Sequence, residues 1–199
     1  MLTSLSDLEL LPEQLKSKFP MFMEQILQLG ALLKVDLTQY QADHIAFRVN
    51  DENLAMQAKE AWSKEANVIS EATINGRPIY VLQFAEPMIF GSWQIECLEL
   101  PFPAVNNKVH PVQSWEHVEF VVPSEANSAQ EYLQDVTSKW PDFAAQFPYL
   151  ENLGVKIKLS SPKGEGERLN NPTISFKWEN ICIKFHPHSI KKIVESERQ

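Results

Sequence analysis

The chain has 199 residues, 44% hydrophobic and 22% charged, a composition ordinary for a soluble globular protein with length for one large core or two small fused ones. A formal net charge of −8 argues against a general nucleic-acid binder and against attachment to an anionic membrane, since both need clustered basic charge. No run of about 18 apolar residues suggests a transmembrane helix, and the N-terminus, with Asp7 and Glu9 and no apolar signal core, reads as that of a cytoplasmic protein.

Residues 1–35 read as helical. Pro12 suits a first helical turn, with Leu8, Leu11 and Leu15 on one face, and Pro20 is expected to open a second helix carrying Phe22, Ile26, Leu29 and Leu33. A strand follows at 43–49, with Ile45, Phe47 and Val49 on its apolar side and His44, Ala46 and Arg48 on the other. Asn50-Asp51 supplies a helix cap, and Leu54, Ala58, Ala61 and Trp62 carry helical periodicity to about residue 65. Asn75-Gly76 predicts a hairpin between strands 67–74 and 77–84. A fourth strand, Trp93–Leu100, places Ile95, Cys97 and Glu99 on one side.

After a proline-rich connection at 101–114, the order repeats. A strand at 115–122 alternates Trp115, His117, Glu119 and Val121 against Glu116, Val118, Phe120 and Val122. Ser124 is expected to cap a helix with Ala129, Tyr132, Leu133, Val136 and Trp140 as its stripe, and Pro141 and Pro148 mark a loop. Strands at 154–160, 172–178 and 180–186 and a short helix from Ser189 complete the chain. The last strand has Ile181, Ile183 and Phe185 on one side, and Asn180, Cys182, Lys184 and His186 on the other. The chain thus reads as strand–helix–strand–strand–strand twice, after a helical extension.

Each half offers a histidine from its first strand and a Glu or His from its last. His44, Glu99, His117 and His186 are ligand types for a divalent transition metal such as zinc, iron(II), nickel or manganese, and a poor set for calcium. The same residues have a structural reading: a lone strand histidine often serves as a hydrogen-bonded core residue, and a lone glutamate as a solvated charge. His110 and His188 fall outside the pattern. Cys97 and Cys182 fit free thiols rather than a disulfide framework, and small, soft lining residues rather than ligands.

The chain resembles the YecM family, a bacterial group of the vicinal oxygen chelate (glyoxalase/bleomycin-resistance/dioxygenase-like) superfamily. The resemblance is carried by ADHIAFR at 42–48, INGRPI at 74–79, ELPFP at 99–103, WEHVE at 115–119, SSPKGEGERL at 160–169, NPT at 171–173 and IKFHP at 183–187. It implies an α+β fold of two βαβββ modules whose cupped mixed β-sheet holds a metal. The expected organisation is an N-terminal helical extension over 1–40, a first module over 41–104 and a second, with a C-terminal helix, over 105–199, fused as one domain. The implied ligands are His44, Glu99, His117 and His186, although His186 stands where a glutamate is common in glyoxalases.

Around this site, Arg48 is positioned to bind a substrate carboxylate or phosphate, or else to pair with Glu119. Glu119 is a candidate general base if burial brings it nearer neutrality. Arg77, Lys184, and Lys163 and Arg168 of the KGEGER segment are candidate substrate-binding cations; the segment reads as a lid or as a charged surface turn. The leading functional expectation is a metal-dependent isomerase, lyase or dioxygenase acting on a small chelating substrate. The alternative is a non-catalytic small-molecule-binding module, which an aromatic-lined cup involving Trp93 and Trp115 would favour. With both modules in one chain, the cup needs no partner subunit, so a monomer is expected.

Overall fold

A computed structural model describes residues 4–74, 76–104, 109–161 and 169–197. Helix α1 (Pro12–Leu33) begins at Pro12 and continues through Pro20 as one helix. Pro20 removes the hydrogen bond its nitrogen would have made to Lys16, a cost of about 3 kcal/mol in a helix interior. Here that cost is opposed by an apolar stripe spanning the proline: Leu15, Phe19, Phe22, Met23, Ile26 and Leu29 are all buried. The expected break is therefore overridden by packing.

Strand β1 (Gln41–Phe47) leads into α2 (Glu52–Trp62), whose N-terminal Leu54 amide donates to Asp51 Oδ1 at 3.0 Å. Strands β2 (Ala66–Ile74), β3 (Arg77–Phe90) and β4 (Trp93–Pro101) form an antiparallel run. The expected hairpin stands, with Ile74 paired to Arg77 and Gly76 at φ 76°; Asn75 lies outside the described residues. Strand β3 runs to Phe90, and its pairing with β4 slips between Gln83 and Met88. That irregularity sends Ile95 into the main core, while Cys97 stays on the opposite face.

In the second half, β5 (Trp115–Val121) precedes α3 (Ala129–Lys139). The cap is Ser128, not Ser124: Ser128 Oγ accepts from the Glu131 amide at 3.2 Å, and Glu131 reaches back to Ser128 N at 3.2 Å. Ser-x-x-Glu is the reciprocal capping box, which Ser124 lacks. The 141–148 segment is no plain loop. Pro141 sits at the first turn of α4 (Pro141–Gln146), and buried Phe143 and Leu150 anchor this helix and the 3₁₀ turns after it. Strands β6 (Lys156–Ser160), β7 (Thr173–Trp178) and β8 (Ile181–His186) and helix α5 (Ile190–Glu197) follow.

All eight strands form one sheet in the order β2-β3-β4-β1-β5-β8-β7-β6. Strand β1 lies parallel to β4, β5 lies parallel to β8, and β1 meets β5 antiparallel at the centre. This is the paired βαβββ arrangement, with the two halves related by an approximate two-fold axis between β1 and β5. One face carries the continuous core, including Phe47, Trp62, Leu98, Phe120, Phe176 and Phe185 with α1. On the other face α5 packs Ile190 and Val194 against Val81 and Cys97, so the C-terminal helix covers part of the cup.

Candidate metal centre

The two central strands each carry one extra residue. Along β1 and β5 the pairing runs Ala42 with Phe120, then His44 with Glu119, leaving Asp43 unmatched; later it runs Ala46 with His117, then Phe47 with Trp115, leaving Glu116 unmatched. A bulge of this kind turns two successive side chains toward one face. Asp43 and Glu116 are thereby brought to the cup side next to their histidines. His44 Nδ1 lies 2.8 Å from Asp43 Oδ2, and His117 Nδ1 lies 2.5 Å from Glu116 Oε2. The bulge also moves Trp115 into the core against Phe47, Trp62 and Phe22, with its indole N–H donating to the Leu15 carbonyl at 2.7 Å. Simple alternation had assigned Trp115 to the histidine side and Glu116 to the apolar side. The signal that strict alternation missed is the acid–histidine dipeptide, present in both first strands as Asp43-His44 and Glu116-His117.

With each Nδ1 engaged, each Nε2 points into a common centre. Ligand atoms of His44, Glu99, His117 and Glu119 all lie within 4.8 Å of one another. Glu119 Oε1 is 3.3 Å from both His44 Nε2 and His117 Nε2, and Glu99 lies 3.8 Å from the former and 3.6 Å from the latter. His44 Nε2 is buried and makes no hydrogen bond of good geometry. The donor set fits a divalent transition ion: two imidazoles and two carboxylates, with both imidazoles held by carboxylates at their other nitrogen, as metal-ligating histidines commonly are.

Three of the four expected ligand residues thus converge, and Glu119 joins them. His186 stands apart. It is grouped with Asp43 and His44, 3.6 Å from Asp43 Oδ2 and 3.8 Å from Glu119 Oε2, and neither of its buried nitrogens has a hydrogen-bond partner among the described residues. The strand register explains this. In the first module His44 pairs with Cys97 and Ala46 with Glu99; in the second His117 pairs with Cys182 and Glu119 with Lys184. The repeat-related counterpart of Glu99 is therefore Lys184, two residues before His186. The second module supplies its carboxylate from the first strand instead, and Lys184 Nζ holds it, 2.6 Å from Glu119 Oε1 and 3.1 Å from His117 Nε2.

This ammonium governs the electrostatics. Burial acts to raise the Glu119 carboxyl, but Lys184 and His44, with His117 beside it, outweigh it and hold Glu119 well below the usual carboxylate range. The expected shift of Glu119 toward neutrality is thus reversed. Glu116 is also held well below that range, with burial opposed chiefly by Arg48 and His117. For His44, burial favours the neutral ring, but Glu119 and Asp43 prevail and push it up to about 10. His186 moves the other way, burial lowering it. Burial pushes the Cys97 and Cys182 thiols up to about 12, so both stay protonated beside the histidines they pair with, His44 and His117.

A cavity of about 410 Å³ opens over this centre and includes His44, Glu99, Glu119, Arg48, Arg77 and Lys184 in its lining. Arg48 pairs with Glu116 at 3.2 Å rather than with Glu119, another consequence of the bulge at Glu116. Arg77 donates to the Phe102 carbonyl at 3.2 Å. Lys163 and Arg168 lie outside the described residues. Trp93, like Trp115, is in the main core, and among the described residues no Phe, Tyr or Trp lines the cavity. No helix among the described residues is long and apolar enough to cross a membrane.

The model of the family described as YecM protein matches residues 12–197. Protein YecM of Escherichia coli K12 is 34% identical over 186 residues, covering 94% of each chain. An uncharacterised protein of Haemophilus influenzae is 34% identical over 184 residues, covering 89% of this chain and 91% of its own. The solved structure of Protein EC4020 superposes with a TM-score of 0.76 at 32% identity, covering 95% of this chain and 93% of its own.

Proposed function

The chain belongs to the YecM family, and on that premise we propose that it is a metal-dependent enzyme of the vicinal oxygen chelate type acting on a small, anionic, chelating substrate. One observation carries the reading: two imidazole nitrogens and two carboxylates from three strands converge within 4.8 Å, beneath an open cavity. His44, Glu99, His117 and Glu119 would hold zinc, iron(II), nickel or manganese; the donor types do not select among these. When bound, such an ion supplies Lewis-acid polarisation of the substrate's oxygens, which isomerase, lyase and dioxygenase reactions all use.

The chain's own residues have distinct tasks around it. Asp43 and Glu116 fix which nitrogen of each histidine faces the centre. Lys184 keeps Glu119 ionised, so Glu119 serves as a ligand rather than as the general base expected if burial had brought it nearer neutrality. Arg48 and Arg77 receive the substrate's acid group. Charge supports this assignment. Asp43, Glu99, Glu116 and Glu119 are all depressed carboxylates, facing three fixed cations, Arg48, Arg77 and Lys184. One His44 proton balances the set without metal. Exchanging that proton for a divalent ion leaves one positive charge for a monoanion. His186 stays beside the centre as a neutral neighbour of Asp43. The cup is built from one chain, so the protein acts as a monomer, which sedimentation checks.

One observation favours a second reading, a metal-free binding module. Lys184 already contacts Glu119 and His117 and can serve as the counter-charge. Elemental analysis of protein purified without chelators, followed by titration with each of the four ions, separates the two. Stoichiometric binding that is lost in Glu99→Ala supports the enzyme; no binding of any of the ions moves the assignment to the module.

A further inference from the structure

The cavity has hydrogen-bond donors on one part of its lining and acceptors on another. Arg48 is only 8% exposed, and with its Nε committed to Glu116, its Nη1 is buried and unpaired among the described residues. A buried donor left so is destabilising, and a carboxylate is the acceptor its planar fork fits best. The wall from β7 and the segment just before it is the converse. Asn171 Oδ1 is buried with no donor among the described residues. Thr173 donates its hydroxyl proton to the Asn171 carbonyl at 3.0 Å, and Ser175 donates its own to the Lys158 carbonyl at 3.3 Å. Both hydroxyl oxygens therefore offer lone pairs to a ligand. Three such acceptors call for O–H groups on the ligand. The apolar part of the lining is aliphatic, with four isoleucines and no Phe, Tyr or Trp among the described residues to stack on an aromatic ring.

We propose that the substrate is an aliphatic carboxylic acid bearing several hydroxyls, its carboxylate on Arg48 and its chain hydroxyls donating to Asn171, Thr173 and Ser175. This rests on the cup being the ligand site, as proposed above, but not on the metal. A volume of about 410 Å³ falls within the small-molecule range.

Calorimetry on the full chain tests this, with and without stoichiometric zinc, using D-gluconate, hexanoate, sorbitol, 3,4-dihydroxybenzoate and inorganic phosphate as probes. Gluconate is expected to bind about tenfold or more tighter than hexanoate or sorbitol, because several hydroxyl contacts add to one carboxylate contact. Asn171→Ala should weaken gluconate by about 3–10-fold and leave hexanoate unchanged; Arg48→Lys should weaken both acids and leave sorbitol unchanged. If Arg48→Lys fails to fold, the probe series and Asn171→Ala decide alone. The proposal is overturned if dihydroxybenzoate or phosphate binds as well as gluconate, if Asn171→Ala affects both acids alike, or if no probe binds. Gluconate binding to protein that takes up no zinc would remove the metal and keep this substrate class. Zinc uptake with no preference for gluconate over hexanoate would do the reverse.

Discussion

Metal binding at this centre should release a proton from His44, and the structure sets where in pH that happens. A metal-ligating imidazole must be neutral. In the metal-free protein Glu119 and Asp43, outweighing burial, push His44 up to about 10, so the ring carries a proton throughout the neutral range. The sign follows directly. Below about pH 10, each bound ion displaces the His44 proton, and apparent affinity falls about tenfold for each pH unit of further acidification. Between pH 8.5 and pH 6.5, His44 alone then weakens binding by about a hundredfold. An unperturbed histidine would confine this loss to pH values below about 6.5. The assay is calorimetric titration of zinc or nickel at pH 6.5, 7.5 and 8.5, each in two buffers of different ionisation enthalpy, which counts protons released per ion. About one proton per ion at pH 8.5 is the expected result. Affinity that does not change between pH 7.5 and 8.5, with no proton released, would refute the argument. The same raised value makes the metal-free fold lose stability as pH rises from about 6.5 through 10, a loss that bound metal should suppress in thermal melts.

Glu116→Gln and Asp43→Asn should each lower metal affinity by about 10–100-fold, as expected when a carboxylate orienting a ligand histidine is lost; unchanged affinity in both would show that the bulges have no part in the site. His117→Ala should abolish tight metal binding with modest effect on the fold. Phe120→Ala, on the opposite face and fully buried, should destabilise by about 3–5 kcal/mol in denaturant titrations. The reverse pattern would mean that the two faces of β5 have been exchanged. Pro20→Ala restores an amide donor inside α1 and should stabilise by about 1–2 kcal/mol, after allowing for the greater freedom of the unfolded chain; a destabilised variant would show that the proline ring contributes packing that outweighs the missing bond.

Local patterns in the sequence were enough for the order of the strands along the chain, for the two-fold repetition, and for the placing of His44 and His117 on adjacent strands facing away from the apolar core. Alternation in β1 and β8 and the Asn75-Gly76 hairpin depend on neighbours only a few residues apart, and such signals are written in order along the chain. Helix α1 shows where local rules stop. Pro20 reads as a boundary, and only the stripe from Leu15 to Leu29, packed against the sheet, overrides it. The metal centre departs further from the local reading. Whether Trp115 or Glu116 turned to the cup depended on an unmatched residue in the β1–β5 ladder, and a bulge is a property of two paired strands. Likewise, that Lys184 rather than His186 stands opposite Glu119 was decided by the β5–β8 register. Side chains two residues apart share a strand face, so the sequence put both on the cup side, and only the pairing between distant strands determined which one reaches the centre.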